Sequence, residues 1–187
     1  MDRLWTPWRL AYVTSNAAGN SPSASELGCI FCAAAATLDS SSSADNTEPN
    51  APGDLIVANG HTCFVILNLY PYNNGHLMVV PKRHVASLAS ATEAEQTELM
   101  KLTRFAEIAL TEAYQPHGIN VGINLGRAAG AGVVDHVHIH ALPRWYGDSS
   151  FIGVVGETRV IPEDLQQTGA RLRPIFQRLL STPRAQP

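Results

Sequence analysis

Residues 136–140 read His-Val-His-Ile-His, and Ala141 follows. Successive side chains of a β-strand point to opposite faces, so a strand puts His136, His138 and His140 on one face and Val137, Ile139 and Ala141 on the other. Helical winding would scatter the same imidazoles around the axis. The alternation with β-branched residues therefore predicts a strand. Its polar face carries rings that titrate near neutrality, bind metals and attack electrophiles. Seven histidines occur in 187 residues, and three at alternate positions of one apolar strand are a poor fit to chance. We read the face as functional rather than as an incidentally polar surface.

The rest of the chain frames that strand. A sequence of 187 residues, 45% hydrophobic and 16% charged, suits one domain spanning 1–187 with a sizeable core. A formal net charge of −3 argues against a nucleic-acid backbone binder, which needs a basic face. Small anionic ligands need only a local pocket of donors. The first residues lack the apolar run of a signal peptide, and no apolar stretch is long enough to span a membrane, so no membrane partner is expected. Three cysteines do not make a secreted disulfide framework, and a cytoplasmic setting is expected.

Residues 3–13 hold two tryptophans, and such a segment either packs on the main body or docks on a second subunit. From Ala33 to Gly53 the composition turns to Ala, Ser, Asp, Asn and Pro, which predicts a flexible loop over 33–53. Leu55 to Ala58 and Cys63 to Leu67 read as two strands around an Asn59-Gly60 turn signal, and Leu77 to Val80 as a third, central one closed by Pro81. Thr92 to Glu95 matches a capping box, and the spacing predicts a helix over 93–114 that ends before Pro116. Ile119 to Ile123 is a fourth strand. A C-terminal helical segment over 162–181 follows, where Gly169 and Pro174 leave one helix or two equally compatible with the pattern. The sum is an α+β fold: an antiparallel sheet of about five strands, one long helix packed on it, and a further C-terminal helix.

The middle imidazole, His138, is the natural nucleophile. A neutral ring attacks through one nitrogen when the other donates its hydrogen to a fixed acceptor, and a nearby backbone carbonyl can serve. The flanking histidines would steady or protonate the attacked group. Just upstream, the segment from Asn124 to Gly132 carries Gly126, Gly130 and Gly132. These either make a plain turn or let backbone N–H groups converge on an anion. An imidazole beside such a cradle points to phosphoryl or nucleotidyl transfer. No Lys-Ser/Thr follows the last glycine, so this is not a Walker loop.

Cys29 and Cys32 form a C-x-x-C pair, which supplies half of a tetrahedral zinc shell. His84 and His136 can complete it. A zinc closed by four protein ligands would be structural and would not activate water. A redox pair and two free thiols are the rival readings; a redox motif should precede a helix within a βαβ unit, and the Ser-rich stretch that follows argues otherwise. Cys63 reads as a small buried hydrophobe. His61, His76 and His117 stand singly and read as turn or core residues, with His76 a candidate to border the site.

The segment from His136 to Leu142 resembles the His-x-His-x-His-x-x signature of the histidine triad (HIT) nucleotide hydrolases and transferases. Asn68 through Arg83 resembles the family's second block, and the likeness runs from about Cys29 to Trp145. Arg3 to Arg9 and Pro143 to Trp145 most resemble the bacterial diadenosine tetraphosphate phosphorylase, or ATP adenylyltransferase, branch.

This resemblance implies that His138 attacks an α-phosphorus, giving a nucleotidyl-histidine that phosphate or water resolves. It implies that His140, Asn124 and the backbone of Gly130, Ala131 and Gly132 hold phosphate oxygens. Asn68 falls at the ribose-binding position, with Ile66 and Leu67 near the base. Metal-bearing members resemble the set Cys29, Cys32, His84 and His136. Many members carry Ser or Thr where this chain has Ala131 and Gly132, so a hydroxyl donor is missing here. Trp145 either covers the polyphosphate or packs. The implied partners are an adenine nucleotide or dinucleoside polyphosphate, phosphate, and a second copy of the chain in a homodimer. Phosphorolysis to ATP and ADP leads. Hydrolysis of dinucleoside polyphosphates or adenosine phosphoramidate, and a binding or metal-sensing protein without turnover, are the competing readings.

Overall fold

A computed structural model describes residues 28–39, 51–148 and 163–182. The tryptophan-bearing segment 3–13, most of the Ser-rich stretch and residue 162 lie outside those residues. Among them the order is helix α1 (Ile30–Asp39), strands β1 (Ile56–Asn59), β2 (Cys63–Leu67) and β3 (Leu77–Pro81), helix α2 (Glu93–Tyr114), strands β4 (Gly118–Ile123) and β5 (Ile139–Arg144), and helix α3 (Leu165–Ser181). The strands form one five-stranded sheet in the order β1-β2-β3-β5-β4, with every neighbouring pair antiparallel. The α+β expectation holds, with both the long helix and the C-terminal helix in place.

β2 and β3 are buried along their whole lengths, as central strands covered on both faces must be. α2 lies across β2, β3 and β5, and α3 packs on α2 and β1. α2 begins as its sequence predicts. The Thr92 side chain accepts from the Glu95 N–H while the Glu95 carboxylate accepts from the Thr92 N–H, a reciprocal cap. It ends at Gln115 in the left-handed region, φ 45°, and Pro116 forbids continuation. Between β1 and β2 the Glu98 carboxylate of α2 accepts from the backbone N–H groups of His61, Thr62 and Cys63, so the helix staples that turn to itself. α3 is one helix with Pro174 inside it.

Two expectations are corrected. The first is the loop over 33–53, because residues 33–39 belong to α1. Four successive alanines, Ala33 to Ala36, are strong helix formers, and Phe31, Ala34 and Ala35 are buried at helical spacing. The second is the histidine strand, whose ladder starts at Ile139 instead of His136. The Val137 N–H donates to the Val85 carbonyl at 2.7 Å, so the chain at 136–138 is tied to the segment after β3 and has left the sheet.

Candidate functional site

The β4–β5 ladder ends at Ile123 opposite Ile139, and Asn124 and His138 are the next residues out from that last pair. His138 is 3% exposed and its Nδ1 donates to the His136 carbonyl oxygen at 2.8 Å. A carbonyl only accepts, so the hydrogen is on Nδ1 and Nε2 keeps a lone pair. Burial pushes His138 below the ordinary histidine range, against the opposing pull of the His136 carbonyl, and the ring is neutral at pH 7. His140 packs edge-on against it, ring centroids 4.8 Å apart. Burial, followed by the His138 charge, takes His140 down to about 4.

His136 meets the cysteines. Its Nε2 donates to the Pro81 carbonyl at 2.9 Å, which leaves Nδ1 bare, 3.3 Å from Cys29 Sγ and 3.7 Å from Cys32 Sγ. His84 Nδ1 lies 3.2 Å from Cys32 Sγ. The four ligand atoms of Cys29, Cys32, His84 and His136 all fall within 4.8 Å of one another. Donors bound to one tetrahedral zinc at ~2.0–2.3 Å sit roughly 3.3–3.8 Å apart, so this donor set fits such an ion. The helix that a redox reading needs does follow the C-x-x-C pair, which removes that objection to it. The two imidazoles turned onto the thiols are what favour a metal. Cys63 is apart from them and fully buried.

The other site residues fall as follows. Asn68 accepts from the Tyr70 N–H at 3.0 Å through Oδ1, and its Nδ2 lies 3.3 Å from His76 Nδ1. Ile66 and Leu67 are buried in the core cluster. In the glycine loop, the Gly130 N–H donates to the Arg127 carbonyl and the Ala131 N–H to the Gly126 carbonyl, so two of the three anticipated donors are engaged within the loop around a 3₁₀ turn. Gly130 caps it at φ 89°, a left-handed position open to glycine. Gly132 is exposed. Trp145 lies about 17 Å along β5 from His140, and its ring packs edge-on against Tyr114.

Phe31 was not read as part of the site, and His76 was read only as a candidate to border it. Phe31, inside the C-x-x-C segment, sits 5.3 Å from the His136 ring and 5.0 Å from the His138 ring. His76 is 1% exposed and its Nε2 lies 2.9 Å from His140 Nδ1. The sequence signal for Phe31 was its place between the two cysteines; for His76 it was the turn leading into a central strand.

With this geometry in view, the likeness to known proteins is consistent with it. A family model described as HIT domain matches residues 48–146. The chain is 39% identical over 175 residues to a Mycobacterium tuberculosis protein named AP-4-A phosphorylase, covering 90% of this chain and 80% of that one. It is 30% identical over 120 residues to a Dictyostelium discoideum protein named bis(5'-adenosyl)-triphosphatase, covering 61% and 80%. A solved structure titled as a Zn-bound histidine triad family protein from Mycobacterium smegmatis superposes with a TM-score of 0.63 at 26% identity, covering 84% of this chain and 99% of that one. The matched segment carries the three histidines and the second block, and on these grounds the chain belongs to the HIT domain family.

Proposed function

We propose that this protein transfers a nucleotidyl group through a covalent intermediate on His138 Nε2, and that its reaction is the phosphorolysis of diadenosine tetraphosphate to ATP and ADP. The observation that carries this is the 2.8 Å bond from His138 Nδ1 to the His136 carbonyl, which keeps the opposite nitrogen unprotonated. The Nε2 lone pair attacks the α-phosphorus, the N–P bond forms and the P–O bond to the departing ATP breaks. Inorganic phosphate then attacks the same phosphorus, releasing ADP and the free ring. The positive charge that the imidazole carries in between is held by the His136 carbonyl.

In this reading Asn124, His140 and the Gly132 backbone hold phosphate oxygens, while the Gly130 and Ala131 N–H groups shape the loop beside them. Asn68, Ile66 and Leu67 border the nucleoside, and Trp145 acts from the far end of β5. Cys29, Cys32, His84 and His136 hold one zinc, which supplies rigidity and no step of the chemistry. A homodimer completes it: β4 is a sheet edge with Val121 52% exposed, and Met100 on α2 is 62% exposed. Such an edge invites pairing with a second copy.

The test is to incubate purified protein with diadenosine tetraphosphate, with and without phosphate, and to resolve the products. ATP plus ADP formed only with phosphate supports phosphorolysis. ATP plus AMP, or two ADP, without phosphate moves the protein to the hydrolases. The Dictyostelium relative's name favours that second reading. Faster turnover of adenosine phosphoramidate than of the dinucleotide selects the phosphoramidate hydrolase.

A further inference from the structure

A chain of hydrogen bonds enters the site from the side opposite the cysteines. It begins at the Tyr72 backbone N–H, which donates to His76 Nδ1 at 3.1 Å. A backbone N–H has no other role than donor, so His76 Nδ1 is a bare acceptor. The Asn68 amide nitrogen, 3.3 Å from the same atom, adds a second donor there. A neutral imidazole with a bare Nδ1 carries its hydrogen on Nε2. That Nε2 lies 2.9 Å from His140 Nδ1, so His76 donates and His140 accepts. His140 in turn has its hydrogen on Nε2.

We infer that His76 is a positioning residue which, through this relay, fixes His140 in the tautomer that keeps an N–H on Nε2 for a phosphate oxygen of the substrate. The inference rests on the proposed chemistry at His138 only for the identity of the bound group. Without the relay His140 would choose between two neutral tautomers, and one of them turns a lone pair to an anionic oxygen. His76 is 1% exposed, and its ring stacks near those of Tyr72 at 4.7 Å and His140 at 5.1 Å, so water does not compete for these bonds. The relay starts in the loop that joins β2 to β3 and ends on β5. One buried ring therefore carries the conformation of the 68–75 loop to the triad.

The experiment uses the full chain, metal-loaded, with its histidine rings labelled with ¹⁵N. Long-range ¹H–¹⁵N correlation spectra of the substrate-free protein at pH 7 report which nitrogen of each ring bears the hydrogen. The wild type is expected to show His140 protonated on Nε2 and His76 protonated on Nε2. His76→Met removes the donor; it is expected to lose that single His140 tautomer and to lower kcat about a hundredfold, with unchanged metal content and a smaller change in KM. His76→Gln presents an amide N–H and a carbonyl at nearly the spacing of the two ring nitrogens. It is expected to restore the tautomer and bring kcat back to within about tenfold of wild type.

A wild-type His140 protonated on Nδ1 overturns the inference, as does a His76→Met protein that keeps the tautomer and the wild-type kcat. Should His76→Met fail to fold, the wild-type spectra and the His76→Gln protein still decide. The spectra need no substrate. A protein that shows the relay but leaves diadenosine tetraphosphate untouched refutes the proposed reaction and spares the role of His76.

Discussion

Phe31 packs against His138 with ring centroids 5.0 Å apart and planes 50° from each other. A residue held between two cysteines thereby walls the proposed nucleophile, and the Cys2His2 cluster and the His138 ring share one boundary. Cys32→Ser removes a ligand that faces both His84 and His136. Elemental analysis is expected to find about one zinc per wild-type chain and well under half of that in the variant. The melting temperature should fall by roughly 5 °C or more, which at this chain length corresponds to about 2 kcal/mol, and turnover should drop with it. A wild-type protein carrying no metal would remove the zinc from the account.

His138→Asn keeps a side chain of similar reach but no nucleophilic nitrogen. The expected loss in kcat is at least about a thousandfold, the scale on which removing a nucleophile registers elsewhere. Quenching wild-type turnover with substrate radiolabelled at the α-phosphate should leave label on the polypeptide, and the variant should carry none. Wild-type turnover without any labelled protein would exclude the covalent route.

The pH dependence has a definite sign. Protonation removes the attacking lone pair of His138, and burial holds that ring below the ordinary histidine range. The plateau of kcat/KM should therefore extend below pH 6.5, with the acid limb lying lower still. An acid limb centred at pH 7 or above would contradict this. Burial takes His140 down to about 4 when folded, from the ordinary histidine value of 6.5. Between those values the unfolded chain binds more protons than the folded one, so stability is full above pH 6.5 and declines as pH falls toward 4. Urea midpoints measured across that window provide the check.

Glu95 joins the cap of α2 to the segment that carries His84. Its carboxylate accepts from the Thr92 N–H and pairs with Arg83 at 2.7 Å. The Arg83 hydrogen bond, partly opposed by burial, holds the carboxyl at about 2. Thr92→Ala should cost about 1 kcal/mol, the ordinary value of an N-cap. Glu95→Gln should cost more, because a buried amide replaces the charge facing Arg83 and leaves the loop before His84 less firmly held. Denaturant midpoints at fixed slope measure both, and equal costs would show that the Arg83 pair adds nothing.

What the sequence reveals is whatever is written locally. Thr92, Glu95 and Pro116 mark both ends of α2 because caps and breakers act within one turn. The cysteine pair and the histidines named the four clustered side chains by residue type, before any distance was known. α1 was hidden by its own composition: alanines beside a serine run look like a linker until Phe31 finds His136 and His138 to pack on. The late start of β5 was equally hidden, because the Val137 bond to Val85 is a long-range competitor of the strand pattern. His76 looked like a solitary turn residue, and its partner His140 is 64 positions away. No period in the chain records that pairing.

The four clustered ligands come from three stretches of chain, with Cys29 and His136 separated by 107 positions and Cys32 and His84 by 52. No fragment shorter than 29–136 holds all of them. A complete four-residue cluster therefore exists only where the polypeptide has closed its longest loops, and an ion held there would link metal binding to folding.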